Sequence, residues 1–177
     1  MDLVEDDVYA FEHFVRWLYE RKVDIHLKGE MDLIRFGLRE LYDVYILADE
    51  YNVPPLKNDI MKILFDAFKA DRDKSRIKAL PCQLVPSMSD MEHIYSNTVQ
   101  GSPLRNIVTA SYTWLLSLEL YTDGSLSDWL RKNPEIATNV AIGFAFRLES
   151  DKGPFAEGRD ASVFLELSKS GGRSDQR

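Results

Sequence analysis

Apolar residues recur at helical spacing on both sides of the tripeptide Val53-Pro54-Pro55. The stretch before it repeats apolar residues three and four positions apart, the pattern of an amphipathic helix: Leu38, Leu41, Tyr42, Tyr45 and Ala48. Further apolar residues widen this face until only a narrow strip stays polar: Val44, Ile46, Leu47 and Tyr51. Because a helix that is apolar nearly all round has to be covered on several sides, we expect neighbours to wrap this central helix.

The two prolines predict a fixed bend between the central helix and a second helix. Asn52 tolerates the left-handed conformation that often closes a helix, and Val53 is pushed to an extended conformation because a proline follows it. Pro55 suits the first turn of the next helix, where a missing N–H costs nothing. That helix carries an apolar stripe of Leu56, Ile60, Ile63, Leu64 and Ala67 opposite Lys57, Asp59, Lys62 and Asp66. We therefore expect Leu47 and Leu56 to be buried in the helical pair.

The segment ahead of the central helix predicts one helix and one strand. Asp6 or Asp7 can cap the helix. Its apolar residues are expected to face the core: Phe11, Phe14, Val15 and Leu18, with Trp17 beside them. Its polar residues are expected to face water: Glu12, His13, Arg16 and Glu20. Residues 23–27 alternate apolar and polar side chains, which is typical of a short strand.

The rest of the chain predicts a second helical block behind a charged connection. Residues 69–78 mix both signs of charge, which favours a frayed helix end and a solvated connection over a basic contact patch. Helix starts are indicated at Ser89 or Asp90, at Ser102-Pro103 and at Asn133-Pro134. We therefore expect a mainly α chain with a first unit at 1–70, a linker at 71–90, a helical extension at 91–150 and a mostly flexible tail at 151–177.

The composition limits the class of partner and the compartment. With 45% apolar and 29% charged residues, the chain has the composition of an ordinary soluble globular protein. A net charge of −7 and a pI near 5.0 argue against a nucleic-acid-binding face, which is usually basic. No stretch approaches the roughly 18 uninterrupted apolar residues of a membrane span. Cys82 is the single cysteine, so an intracellular, reducing compartment (cytoplasm or nucleus) is the simplest expectation.

Residue types that carry chemistry are scattered along the sequence. His13, His26 and His93 have no second ligand type at a metal-binding spacing, so surface or core-edge histidines are favoured over zinc ligands. Cys82 has neither a neighbouring histidine nor a second cysteine, and the sequence contains no phosphate-binding loop or nucleophile elbow. We therefore expect no catalytic site, no cofactor and no metal ion, and interpret the chain as a non-enzyme.

Two separated segments resemble the second half of a BTB/POZ domain. The first runs from residue 6 to 19 (DDVYAFEHFVRWLY) and the second from residue 41 to 58 (LYDVYILADEYNVPPLKN). In that family the first segment is the helix before a short strand, and the second is the closing helical hairpin. Residues 94–105 (IYSNTVQGSPLR) are similar to the segment that follows the BTB domain in many filamentous-fungal proteins. The resemblance implies the helical C-terminal half of a BTB/POZ fold with one short residual strand, followed by a helical extension.

The first half of such a domain has no counterpart in this sequence. BTB domains begin with strands and a helical pair that carry the sheet and much of the dimer surface, and nothing of this kind precedes Asp2. A late start of the gene model, a truncated paralogue and an alternative start are the three explanations left open. Because the absent elements would normally cover part of the central helix, we expect an exposed apolar patch there and an unpaired strand edge at 23–27. The alternative is that the helical block at 90–150 folds back over the patch.

The function implied by the resemblance is protein–protein interaction by a non-catalytic adaptor or oligomerisation module. Some family members dock on a cullin scaffold of a ubiquitin ligase, often through a hydrophobic-x-acid triplet near the hairpin. Residues 38–40 and 41–43 fit that pattern, which makes four residues the candidate partner-binding set: Leu38, Glu40, Leu41 and Asp43. The leucines serve as well in a core, and that interpretation is favoured. The rival classes are an enzyme and a transcription regulator. An enzyme would need a convergent polar pocket, a regulator of this type would usually carry a zinc-finger or basic module, and the sequence indicates neither.

Overall fold

A computed structural model describes residues 7–25, 27, 31–78, 84–115, 124–149 and 153–165. These residues form seven α-helices and one 3₁₀ turn. The helices are α1 (Asp7–Glu20), α2 (Met31–Glu50), α3 (Pro54–Lys78), α4 (Met88–Asn97), α5 (Pro103–Leu115), α6 (Gly124–Lys132) and α7 (Pro134–Glu149), and the 3₁₀ turn is Ala161–Phe164. The prediction of a mainly α chain is confirmed.

Helices α2 and α3 carry the centre of the hydrophobic core. Leu47 is 7% exposed and Leu56 is fully buried, as predicted. Helices α1 and α4 pack against α2, while α5 and the 3₁₀ turn pack against α3. The central helix is therefore wrapped, as its nearly continuous apolar surface requires. The expectation of an exposed patch on this helix is wrong, because α4 from the second half of the chain lies over it.

The bend between α2 and α3 has the geometry that the sequence indicated. Asn52 adopts a left-handed conformation with φ of 52°, and α3 begins at Pro54. The Asn52 N–H donates to the carbonyl oxygen of Asp49 at 3.0 Å, and the Val53 N–H donates to that of Ala48 at 2.8 Å. This hydrogen-bond pair closes the carbonyl end of α2 in the manner of a Schellman motif.

A partly buried ion pair crosses the same bend and was not predicted. The sequence pattern placed Lys57 opposite the apolar stripe of α3, yet its side chain is 5% exposed. Its Nζ lies 2.7 Å from Oδ1 of Asp49, in the last turn of α2. Because Lys57 is buried and Asp49 is half-buried, solvent screens this pair less than an exposed one, and the pair helps to fix the angle between the two helices.

The strand predicted at 23–27 is not formed. Residues 23–25 and 27 have no regular secondary structure, and the residues that the structure describes contain no strand that could pair with them. The alternation itself is real, because Ile25 is buried and Val23 and Leu27 pack against the core. A strand needs a partner for its backbone N–H and C=O groups, so inward alternation alone does not make one.

Two helix starts differ in detail from the predicted ones. Helix α4 is capped by Ser87, ahead of the predicted Ser89 or Asp90, and Asp90 instead completes a capping box with Ser87. Helix α5 begins at Pro103 as predicted, but the Ser102 hydroxyl is buried and forms no hydrogen bond with a described residue. The serine at this start therefore does not act as a side-chain cap.

Residues 153–165, which we call the C-terminal strap, pack against α3 and α5 where a flexible tail was expected. The ring of Phe155 lies 5.6 Å from that of Phe65 and 5.8 Å from that of Phe68, between ring centroids. Phe164 joins the same cluster at 6.3 Å from Phe65 and 6.1 Å from Phe155. The strap thus completes an aromatic core that α3 begins. Residues 166–177 lie outside the described residues.

The mixed-charge segment after residue 68 continues α3 and holds the strap. Helix α3 extends to Lys78, into the segment predicted to be a linker. Arg72 donates from Nη1 to the carbonyl oxygen of Phe155 at 2.7 Å, and Lys69 donates to that of Arg159 at 3.2 Å. Asp71 is buried and accepts the backbone N–H of Leu84 at 2.9 Å. Lys69, Asp71 and Arg72 therefore form hydrogen bonds to later segments of the chain, where the sequence predicted a solvated connection.

Candidate functional site

Two of the four candidate partner-binding residues lie in the core. Leu38 is 4% exposed and Leu41 is fully buried. Both occupy the face of α2 that its neighbours cover, so neither can touch another protein unless α2 first opens. Their placement agrees with the interpretation of the leucines as core residues.

The other two candidates, Glu40 and Asp43, face other helices of the same chain. Oε1 of Glu40 lies 3.9 Å from Nε2 of His13 in α1. Oδ1 of Asp43 lies 2.6 Å from Nε2 of His93 in α4, and Arg39 approaches the same carboxylate at 3.4 Å. Glu40 and Asp43 therefore contact α1 and α4, and with both leucines buried the four predicted site residues do not form an open surface.

Little of the remaining candidate chemistry is brought together. His26 and Cys82 lie outside the described residues. Within the described ranges, no three side chains of His, Cys, Asp or Glu stand close enough to hold a metal ion. In the same part of the chain, no helix is both long enough and apolar enough to cross a membrane.

Helix α1 turns a different face to the core from the one that the sequence predicted. Ala10, Phe14 and Trp17 form the buried stripe, with Trp17 only 2% exposed. Phe11 and Leu18, which were expected in the core, are 39% and 44% exposed. The prediction is wrong for these two residues. Helix α1 carries two neighbouring apolar stripes, and only one of them is buried when α1 packs against α2.

The second stripe gives α1 an apolar face towards solvent, which we call the α1 face. Its members follow one another at helical spacing: Val8, Phe11, Val15, Leu18 and Tyr19. Val15 is half-buried and the other four are exposed. Single exposed apolar residues are ordinary on a protein surface, but a row of five along one helix marks a candidate contact surface.

Aromatic rings extend this surface towards the end of α2. The ring of Phe11 lies 6.4 Å from that of Phe14, which in turn lies 5.4 Å from that of Tyr51. Tyr51 follows α2 and is itself exposed. Elsewhere on α1, Tyr9 meets the exposed ring of Phe36 edge-on at 6.5 Å. Exposed aromatic side chains of two helices thus border the α1 face.

Polar contacts on its buried side hold α1 in place. The indole Nε1 of Trp17 donates to Oδ2 of Asp59 in α3 at 3.0 Å. The guanidinium of Arg21 lies 4.5 Å from the centre of the same indole ring. Because α1 is fixed against both α2 and α3, the α1 face is ordered before any partner binds, which lowers the entropic cost of association.

Comparison of the chain with models of known protein families, with curated proteins and with solved structures finds no match. The BTB/POZ resemblance therefore rests on the sequence segments themselves. The α1 face is a candidate contact surface that was not predicted from the sequence. The sequence does contain this second row of apolar residues. The prediction assumed a single apolar stripe on α1 and therefore placed Phe11, Val15 and Leu18 in the core.

Proposed function

We propose that this chain is a protein–protein interaction module of the BTB/POZ type, a non-catalytic adaptor or oligomerisation unit that acts through the α1 face. The observation that carries the proposal is the row of exposed apolar residues on a helix that is firmly packed on its other side. Covering such a face with another protein is favourable by about 25 cal/mol for each Å2 of apolar surface removed from water.

The composition of the α1 face suits recognition of an apolar protein surface. Phe11 and Tyr19 are large and lose little conformational freedom on binding, and aromatic residues are enriched where interfaces gain most of their affinity. Glu12, Arg16 and Glu20 lie exposed on the same helix and supply both signs of charge for a polar rim. A partner of matching chemistry would present an apolar helix or strand with a charged border.

Docking on a cullin scaffold is the less favoured proposal. It would use Leu38, Glu40, Leu41 and Asp43, and two of these side chains are in the core while two face His13 of α1 and His93 of α4. Freeing them would require α2 to leave its neighbours. The α1 face needs no such rearrangement.

A paired set of variants tests the proposal. Phe11→Glu with Leu18→Glu places two charges on the α1 face, whereas Val99→Glu with Leu148→Glu makes the same kind of change at exposed apolar positions of other elements. Sedimentation velocity over a range of concentrations measures self-association, and proximity labelling in cells identifies partners. We expect the first pair to abolish the association or the labelling that wild type shows, with helical circular dichroism retained, and the second pair to keep both.

Two outcomes would contradict this function. One is a wild-type chain that is monomeric at every concentration and labels the same proteins as the α1 variant. The other is equal loss in both pairs of variants, which would assign the effect to added charge and not to the α1 face.

A further inference from the structure

A pocket of about 370 Å3 opens between α5 and α7, away from the α1 face. Helix α5 contributes Ala110 and Trp114 to its wall, α7 contributes Ile142 and Phe146, and the strap contributes Phe164. The volume falls within the range of about 300–1,000 Å3 that small-molecule sites occupy.

Two close contacts fix the walls of this pocket. A Cβ atom on Gly143 of α7 would lie 2.7 Å from Cγ2 of Thr113 in α5, so only glycine allows the two helices to approach this closely. A Cβ atom on Gly153 of the strap would lie 2.4 Å from Cε3 of Trp114, so the strap backbone packs directly on the indole ring. The pocket is therefore bounded by tightly packed elements and not by a loose gap between helices.

One end of the pocket carries an organised polar group. Oη of Tyr95 lies 2.8 Å from Oγ1 of Thr109, and the amide nitrogen of Asn139 donates to the same Tyr95 oxygen at 3.0 Å. This arrangement orients the side-chain amide of Asn139. Thr109 and Asn139 both line the pocket, so an oriented polar side chain stands beside apolar walls.

The lining also indicates the charge of the occupant. Among the described residues that line the pocket, none carries a charge, and three present aromatic rings: Trp114, Phe146 and Phe164. An ion entering such a site would lose hydration without gaining a counter-charge, which is costly. Aromatic walls favour a flat ring that can stack or pack edge-on against them.

We propose that this pocket binds a neutral, planar and largely apolar small molecule that carries one hydrogen-bonding group, with its ring among Trp114, Phe146 and Phe164 and its polar group towards Asn139. The site is separate from the α1 face, so the inference does not depend on the proposed function.

Prodan, a neutral naphthalene ketone whose emission responds to solvent polarity, is a suitable probe. We expect saturable binding of one molecule per chain, with energy transfer from Trp114.

Ala110→Phe places a ring inside the pocket and should weaken binding by at least about tenfold, the consequence of losing about 1.4 kcal/mol. The matched control is Ala145→Phe, which adds the same ring at an exposed position of α7 and should bind as wild type does. Circular dichroism and thermal unfolding verify that each variant is folded.

A second pocket variant and two comparison ligands complete the test. If Ala110→Phe fails to fold, Ile142→Glu places a charge at the half-exposed rim and should produce the same loss. Wild-type binding that is not saturable, or equal binding by folded pocket variants, would overturn the proposal. Equal affinity for the anionic dye anilinonaphthalene sulfonate would refute a neutral ligand. Tighter binding of N-acetyl-tryptophanamide than of prodan would make the pocket a receptor for a protein side chain and would also overturn it.

Discussion

Arg105 shows how one buried cation can organise three helices. Its side chain is 7% exposed. The guanidinium donates to the backbone carbonyl oxygens of Tyr95 and Thr98 near the end of α4, to the Thr98 hydroxyl at 2.9 Å, and to Glu135 at the start of α7. It also lies 4.7 Å from the centre of the Tyr95 ring. A planar group with several donors in fixed directions suits this set of acceptors, and an ammonium group does not.

We therefore expect Arg105→Lys to destabilise the chain although the charge is kept. Backbone carbonyls left without a donor in a buried site cost about 1–3 kcal/mol in the free energy of unfolding. Urea unfolding followed by circular dichroism measures the change. The control is Arg131→Lys, whose side chain is 76% exposed and which should stay within about 0.5 kcal/mol of wild type. Equal unfolding midpoints for both variants would show that the Arg105 contacts contribute nothing.

At the scale of the helices, the elements that the sequence predicted correctly are those with local determinants. The bend at Val53 follows from a left-handed Asn52 and two prolines, all adjacent in sequence, so it could be read without knowing the rest of the fold. The buried face of α1 could not be predicted in this way. Both of its stripes are apolar, and which of them faces the core depends on the packing of α1 against α2 and α3. For the same reason Lys69 and Arg72 were expected in a solvated connection, since their acceptors lie in the strap.

Leu47 tests whether the central helix is covered as tightly as its burial indicates. Leu47→Ala removes a buried side chain and leaves a cavity, so we expect the free energy of unfolding to fall by about 2–5 kcal/mol. The control is Leu148→Ala, because Leu148 is 89% exposed on α7 and its truncation should change stability little. An unchanged unfolding midpoint for Leu47→Ala would mean that α2 is not wrapped by its neighbours.

For the whole molecule, buried tyrosines link stability to alkaline pH. Burial raises the pKa of Tyr112 from 10.0 to about 12, and it raises the pKa of Tyr42 further, with the Asp90 carboxylate adding to the effect. Above pH 10.0 the unfolded chain releases these protons while the folded chain keeps them. The stabilisation is thus complete below that pH and is lost as pH rises towards the folded pKa.

We expect the urea midpoint to fall steadily between about pH 10 and about pH 12. Tyr112→Phe should flatten this decline, because the variant has one fewer phenol that ionises only on unfolding. The control is Tyr19→Phe, which removes the same hydroxyl from a side chain that is 86% exposed. Identical slopes for wild type and Tyr112→Phe would indicate that this phenol ionises equally in the folded and unfolded chain.

The C-terminal strap has a consequence for synthesis on the ribosome. Phe65 and Phe68 are made early, but the rings that cover them, Phe155 and Phe164, emerge roughly ninety residues later. A nascent chain that has passed the bend can form α2 and α3, yet it cannot finish their aromatic core until residue 164 has left the exit tunnel. During that interval the two early phenylalanines are available to chaperones. A premature stop codon anywhere before residue 153 would remove both covering rings, so we expect the truncated product to keep Phe65 and Phe68 uncovered.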